Sequence, residues 1–276
     1  MLILAGAGSG KTRVITCRIA WLIAERGVAP DEILAVTFTN KAAREMRERV
    51  DKLTGRDTGA WISTFHSFGA RILRRHADRV GFGRDFVVYD ADDSKRLGRE
   101  VLAELGLDPA FEPVESLLRR VEAAKHGLKA PGEGGLSGET ARSFYARYTE
   151  RLRRANALDF ADLIFLTHRL WRKEPELLAR YQERFAHVLV DEFQDTDHAQ
   201  YGLLRLLCGP GSKLCVVGDD DQSIYTWRDA DVGHILGFER DYPGCEVIRL
   251  EQNYRSTKRI LTAAATVIAK NPRRHA

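Results

Sequence analysis

Cysteine is scarce in this chain: four residues in 276, at Cys17, Cys208, Cys215 and Cys245, with no Cys-x-x-Cys pair. That scatter argues against a disulfide framework or a thiolate metal site and for reduced, mostly buried thiols. No apolar run approaches bilayer-spanning length and no leader precedes the first strand, so a cytoplasmic, membrane-free setting is expected. Internal repeats and low-complexity tracts are also lacking. Nor is there a large excess of one charge. A net +4 on 30% charged residues is mildly basic, compatible with a nucleic-acid partner without requiring one. Hydrophobic content of 44% describes an ordinary globular protein, with length for about two domains or one large domain carrying an insertion.

What the chain does contain starts within its first turn of sequence. The apolar run Leu2-Ile3-Leu4 leads into Ala5-Gly6-Ala7-Gly8-Ser9-Gly10-Lys11-Thr12. A strand ending in a glycine-rich turn that opens a helix gathers several backbone N–H groups around one small volume. Glycine permits positive φ there and leaves no Cβ to obstruct phosphate oxygens. Lys11 is then placed to reach the β- and γ-phosphates, and Thr12 to ligate Mg²⁺. The helix dipole adds to this anion site. Ala5 stands where the usual pattern has glycine, but Gly6, Gly8 and Gly10 are the positions that would approach phosphate. The strand begins so close to Met1 that a chain cut short at its N-terminus is expected.

Short apolar runs at Ile33–Phe38, Trp61–Thr64, His187–Asp191, Lys213–Gly218 and Glu246–Leu250 read as strands, most followed by helix-period segments. This is the alternation of a parallel α/β sheet covered on both faces. Asn40–Leu53 reads as an amphipathic helix with Ala42, Ala43, Met46, Val50 and Leu53 on its buried face. From about Asp92 to Glu183 only helical segments are predicted, at Ser94–Leu105, Pro113–His126, Gly138–Ala155 and Asp159–Arg172. Gly127–Gly138, rich in glycine, reads as a mobile surface loop. The architecture is thus a parallel α/β domain interrupted by an all-helical insertion.

The strand His187–Val190 ends in Asp191 and Glu192. Asp191 suits Mg²⁺, and Glu192 suits orienting or deprotonating an attacking water. Gln222, after Val216-Val217-Gly218, suits a γ-phosphate sensor, although the three acids before it also fit a solvated loop. Arg255 suits an arginine finger, although taken alone a surface ion pair is the better reading of it. Trp227 among polar neighbours favours a base-stacking role over core packing, whereas for Phe38 and Phe65 core burial is plausible. Trp21, Trp61 and Trp171 read as structural, as do the histidines other than His66.

In order, the blocks are GAGSGKT (6–12), AVTFTNKAAREMRERV (35–50), STFHSFGARILRR (63–75), VDEFQDTD (190–197), VVGDDDQSIYTWRDAD (216–231) and LEQNYRST (250–257). This series resembles the N-terminal half of the UvrD/PcrA/Rep family of superfamily 1 DNA helicases, and Leu158–Leu163 resembles a segment of that family's helical subdomain. The resemblance implies a P-loop NTPase with a RecA-like parallel sheet. Residues 1–90 and 186–276 would form the motor domain and 91–185 the helical insertion, with the second RecA-like domain absent. It implies ATP and Mg²⁺ as cofactors, bound by Ala7, Gly8, Ser9, Gly10, Lys11 and Thr12, with Thr12 and Asp191 on the metal. Lys11, Glu192, Gln222 and Arg255 would be catalytic, and Tyr254 would stack on adenine. Phe38, Asn40, Thr64, His66, Tyr225, Trp227 and Arg228 would follow single-stranded DNA.

The implied activity is 3′→5′ translocation on single strands and at junctions with duplex, by a monomer or weakly self-associating protein with repair or replication partners. The isolated chain is expected to bind ATP weakly and not to unwind duplex. A truncated, non-unwinding ATP- and DNA-binding module, or the helicase part of a RecB/AddA-like recombination nuclease, would share these motifs. Asp229 departs from the family, which commonly has glycine there; an acid beside the strand path would repel phosphate, and a side chain would disfavour a tight turn.

Overall fold

The computed structural model describes residues 1–209, 212–225 and 229–270. In chain order the first elements are β1 (Leu2–Ala5), α1 (Lys11–Ala24), β2 (Ile33–Thr37), α2 (Asn40–Thr54), β3 (Trp61–Thr64), α3 (Phe65–Arg75) and α4 (Ala77–Val80). Next come β4 (Val87–Val88), α5 (Ala91–Glu104), α6 (Val114–His126), α7 (Glu139–Arg154), β5 (Ala157–Leu158), α8 (Asp162–Lys173) and α9 (Pro175–Arg184). The rest are β6 (His187–Val190), α10 (His198–Leu207), β7 (Lys213–Gly218), α11 (Gly233–Leu236), α12 (Phe238–Asp241), β8 (Val247–Leu250) and α13 (Lys258–Ile268). Among the described residues no helix is long and apolar enough to cross a membrane.

The chain divides into two compact units. The first comprises Met1–Phe65, Glu176–Asp197 and Leu207 onward. Its sheet has the order β3-β2-β6-β7-β1-β8, with every pairing parallel. All strands therefore point the same way, and the loops leaving their carboxyl ends line one edge, where open α/β sheets bind ligands. Near-continuous burial along β1, β2 and β6 follows from coverage on both faces. One face packs Ile3, Ala35, Ile62, Leu189 and Val217 against Ile15 and Ile19 of α1 and Met46 and Val50 of α2. Thr39 caps α2 by accepting from the Ala42 N–H at 3.1 Å, and Gly55 at φ 70 ends it. Leu53, expected on the buried face, is 55% exposed instead, because it falls in the last turn beyond the sheet contact.

The second unit comprises His66–Pro175 and His198–Leu206. Its limits differ from the 91–185 read from the sequence, and glycines explain why. A Cβ at Gly69 of α3 would lie 2.3 Å from the Leu163 carbonyl oxygen, so α3 packs backbone-to-backbone on α8. Gly202 of α10 likewise lies against Leu128 and His168. Both helices thus belong with the helical unit. That unit is not wholly helical either: β4 and β5 pair in parallel, Val87 with Ala157 and Val88 with Leu158. Its core gathers Val101, Leu117, Val121, Phe144 and Tyr148, with Trp171 fully buried. The first half of the glycine-rich 127–138 stretch is tied down. The Tyr145 hydroxyl donates to the Lys129 carbonyl at 3.0 Å, and Arg169 donates to both Glu133 oxygens at 2.8 and 2.7 Å.

Candidate functional site

In the first unit, β1 lies between β7 and β8, and β7 lies beside β6. This order brings the loops after β1, β6, β7 and β8 together at the carboxyl edge. They enclose a cleft of about 260 Å³ lined by Gly6, Ala7, Gly8, Gly10, Lys11, Thr12, Arg13, Arg49, Glu192, Gln222 and Arg255. Five segments that the sequence separates by up to about 250 positions therefore share one volume.

The loop after β1 is shaped by its own hydrogen bonds. Ser9 donates to the Gly6 carbonyl through its N–H at 3.2 Å and its hydroxyl at 2.7 Å. Gly10 precedes α1 at φ 98 and Gly8 turns at φ 76, both left-handed. Gly8 is also pressed by the loop after β8: a Cβ there would meet Arg255 Cβ at 2.6 Å and Asn253 Nδ2 at 2.9 Å. The Tyr254 N–H donates to the Gly8 carbonyl at 3.0 Å, and Asn253 Nδ2 donates to the Ala7 carbonyl. Asn253 Oδ1 in turn accepts the N–H groups of Arg255 and Ser256, each at 2.8 Å. Asn253 thus staples Arg255 to the phosphate-type loop. The Tyr254 ring stands 80% exposed.

Lys11 carries the main positive charge. Its Nζ is buried, 3.6 Å from Glu192 Oε2 and 3.8 Å from Asp219 Oδ2, and has no hydrogen-bond partner among the described residues. A buried ammonium left this way is short of acceptors, which an anionic ligand would supply. The Thr12 hydroxyl lies beside the Asp191 carboxylate and favours its charged form. Burial, with Glu192 adjacent, pushes Asp191 up to about 6, and the same two causes push Asp195 up to about 7. The site is therefore short of positive charge around its carboxylates. Among the described residues no group of His, Cys, Asp or Glu would hold a metal unaided. The Thr12–Asp191 pair fits a Mg²⁺ that keeps waters and substrate phosphates as its other ligands.

Glu192 occupies the left-handed region at φ 50, ψ 47, a conformation a non-glycine residue holds only under tertiary constraint. Gln194, 1% exposed, supplies part of that constraint. Its Nε2 donates to Glu192 Oε2 at 2.9 Å, and its Oε1 accepts the Asp219 N–H at 3.0 Å. Gly218 leaves room for it, since a Cβ there would sit 2.7 Å from Gln194 Oε1. Gln222 Nε2 donates to Asp219 Oδ2. Sequence reasoning did not single out Gln194, Asp219, Asn253 or Arg49. All four lay inside blocks already singled out, so only their geometry was missing. Arg49 lines the cleft from α2.

The DNA-facing candidates fall in both units. In the first, Phe38 is half-buried and stacks on Tyr225 with centroids 5.1 Å apart. Asn40 is exposed, and its Oδ1 accepts from the buried Thr64 hydroxyl at 3.5 Å. In the second, His66 stacks on Phe160 at 3.8 Å; Phe160 is 58% exposed and was not among the predicted contacts. Burial, with His126 nearby, pushes His66 down to about 4, so it is neutral near pH 7. Trp227 and Arg228 lie outside the described residues. Asp229 takes φ 61, the left-handed turn for which glycine is suited. Phe65 is buried, as are Trp61 and Trp171, whereas Trp21 is 44% exposed.

Gly8→Ala is expected to destabilise the nucleotide-free chain more than Gly10→Ala. Both introduce a side chain at positive φ, a cost of roughly 1–2 kcal/mol. Only at Gly8 must Arg255 and Asn253 also move, because the nearest atom to a Cβ at Gly10 is Arg13 Cβ at 3.9 Å. Equal losses in denaturant unfolding would remove the argument.

The model of the UvrD/REP helicase N-terminal domain matches residues 1–243. The chain is 52% identical over 283 aligned positions to an ATP-dependent DNA helicase PcrA of Bacillus subtilis, covering 99% of this chain. It is 50% identical to the protein of that name from Staphylococcus aureus strain Mu50 and 49% to that from Staphylococcus epidermidis, again over 99% of the chain. It spans 38% of the length of each of these relatives. A nucleotide-type cleft at the carboxyl edge of a parallel sheet, the order of the sequence blocks and these matches agree: the chain belongs to the UvrD/REP helicase N-terminal domain family.

Proposed function

We propose that this chain is the ATP-hydrolysing, single-strand-binding part of a 3′→5′ DNA translocase or helicase, active as a monomer or weakly self-associating. The observation that carries the reading is the buried Lys11 ammonium between Glu192 and Asp219, without a hydrogen bond among the described residues, in a cleft rimmed by Arg255 and Gln222. ATP phosphates would satisfy that cation and take N–H groups from the Gly6–Thr12 loop. A magnesium ion on Thr12 and Asp191 would neutralise phosphate charge. Glu192 would orient the attacking water and accept its proton. Lys11, Arg49 and Arg255 would meet charge developing on the transferred phosphoryl. Tyr254, exposed beside the loop, would stack on the base. The reading assigns the opposing wall of the cleft to a second RecA-like domain outside this chain.

Coupling to DNA follows from short distance along the chain. Gln222 rims the cleft, and Tyr225, three residues on, stacks on Phe38. A shift sensed at the γ-phosphate is thereby passed to an aromatic pair suited to bases of any sequence. Asn40, Thr64, His66, Trp227 and Arg228 would extend the strand path. Phosphate release by the purified chain should rise on adding oligo-dT. Tyr225→Ala should weaken oligo-dT affinity by about 5- to 150-fold, the equivalent of ~1–3 kcal/mol of base stacking. ATP hydrolysis indifferent to single-stranded DNA, with unchanged oligo-dT affinity in the variant, would overturn the reading.

A further inference from the structure

Glu192 presents its carboxylate to Lys11 from a left-handed backbone, φ 50 and ψ 47, that its own side chain does not favour. Gln194 steadies the carboxylate, but a strained backbone persists only where the main chain around it is held as well. The chain leaves Glu192 in a single 3₁₀ turn, Phe193–Asp195, in which the Glu192 carbonyl accepts the Asp195 N–H at 3.0 Å. Thr196 closes that turn. Its N–H donates to the Phe193 carbonyl at 3.2 Å, and its hydroxyl donates to the same oxygen at 2.8 Å. Thr196 is 2% exposed, so protein groups rather than water must hold it in place.

Those groups come from α11 and the residues just before it. The Thr196 carbonyl accepts the Asp231 N–H at 3.1 Å and lies 3.1 Å from His234 Nδ1, which is also 3.2 Å from the Thr196 hydroxyl. A carbonyl can only accept, and the hydroxyl has already given its hydrogen to Phe193. Both therefore call for a hydrogen on Nδ1. His234, itself buried, is thus a donor of fixed tautomer aimed at the main chain behind Glu192. Apolar packing seats its helix independently. A Cβ at Gly218 would meet Ile235 Cδ1 at 2.7 Å, and the buried Phe193 meets the Phe238 ring edge-on, centroids 5.6 Å apart. Asp197 and Ala230 form an antiparallel bridge alongside.

We infer that His234 is a positioning residue for hydrolysis: through Thr196 it holds the strained turn that aims Glu192 at the attacking water. The inference rests on the nucleotide-hydrolysing reading above and adds to it a side chain that does not line the cleft and lies about 40 positions from Glu192. It acts on geometry rather than charge, since a neutral imidazole with its hydrogen on Nδ1 makes the bond. Without that donor the turn can relax toward right-handed backbone and carry the carboxylate out of line. Misplacement of a catalytic group from outside the site costs up to about 10²-fold in rate. The loss cannot exceed that of removing the carboxylate, because His234 works only through it.

Single-turnover phosphate release by the 276-residue chain with oligo-dT present, beside an ATP-binding titration, tests this. His234→Ala should slow release by about 10- to 100-fold and leave ATP affinity unchanged. His234→Asn should recover most of the rate, because its Nδ2 stands where Nδ1 does. His234→Gln should not, because its amide stands at the Nε2 position instead. Both remove the ring, so a purely structural loss would strike them alike, and this pair decides the matter even if the alanine variant fails to fold. In a Glu192→Gln background His234→Ala should cost no further rate, since no carboxylate remains to be aimed. Parent-like release by His234→Ala, equal losses in the Asn and Gln variants, or the same fold-loss in both backgrounds would overturn the role of His234 alone. Parent chain that binds oligo-dT yet releases no phosphate would overturn the hydrolytic reading, and this inference with it.

Discussion

Glu192→Gln is expected to slow DNA-stimulated phosphate release by about 10²- to 10⁴-fold, the range a positioned general base supplies. Nucleotide affinity should be retained. The replacement keeps size and shape, and its carbonyl oxygen can still accept the Gln194 Nε2–H that reaches Glu192 Oε2 at 2.9 Å. The left-handed backbone at φ 50 is unaffected by the change. What is lost is the carboxylate that could take a proton from water, together with its charge 3.6 Å from Lys11. Single-turnover phosphate release and a nucleotide-binding titration separate the two effects. A variant hydrolysing within about tenfold of the parent would remove Glu192 from the proposed role.

The second large effect is one of stability and lies in the helical unit. Lys125, in the last turn of α6, is 1% exposed. Its Nζ lies 2.6 Å from Asp159 Oδ2 and 2.8 Å from Asp162 Oδ1, with the Tyr148 ring centroid at 5.6 Å. The two aspartates also bond to each other's backbone: Asp162 N–H donates to Asp159 Oδ1 at 2.9 Å, and Asp159 N–H to Asp162 Oδ2 at 3.2 Å. Burial pushes Asp162 up, with Asp159 adding to it, whereas the two carboxylates hold Lys125 above its ordinary value. One ammonium thus compensates two buried carboxylates.

Lys125→Met should therefore cost about 3–5 kcal/mol, the penalty for leaving buried charge without its partner. Denaturant unfolding followed through Trp171, buried in the same unit, would measure it. Adding Asp159→Asn and Asp162→Asn should recover most of the loss, since the charges then disappear together. The raised Asp162 also has a sign in pH: the folded state holds a proton that the unfolded chain releases near 4. Stability of this unit should accordingly decline as pH rises from about 4 to about 7. A Lys125→Met loss below ~1 kcal/mol would show that the cluster is solvated in solution. The turn it fixes carries Phe160, so the His66–Phe160 stack depends on the same charges.

Elements whose signal is local were readable before folding. Trp61–Thr64 and Lys213–Gly218 are strands with the predicted limits, because period and turn chemistry lie within a few residues. The loop at Gly6–Thr12 announces itself by composition alone. The β4–β5 pair escaped notice because two-residue strands have no period to detect and are held by pairing across about 70 positions. The allocation of α3 and α10 to the helical unit escaped for a similar reason. Gly69 and Gly202 mark close approach only once Leu163 and Leu128 are seen opposite them.

By itself the sequence determined which residue types the cleft gathers, a glycine-rich turn, a lysine, carboxylates and an arginine, and that a parallel sheet presents them. Those properties reside in residue type and near-neighbour spacing. Tertiary structure alone decided that Gln194 joins Glu192 to the Asp219 N–H, that Asn253 fastens Arg255 to the Ala7–Gly8 turn, and that Arg49 reaches the same volume. It also decided that His234 of α11 meets Thr196 behind Glu192. Such groups meet only because strand order and glycine-lined helix contacts bring distant segments within hydrogen-bond or Coulomb range, and that proximity is written in no local window of the chain.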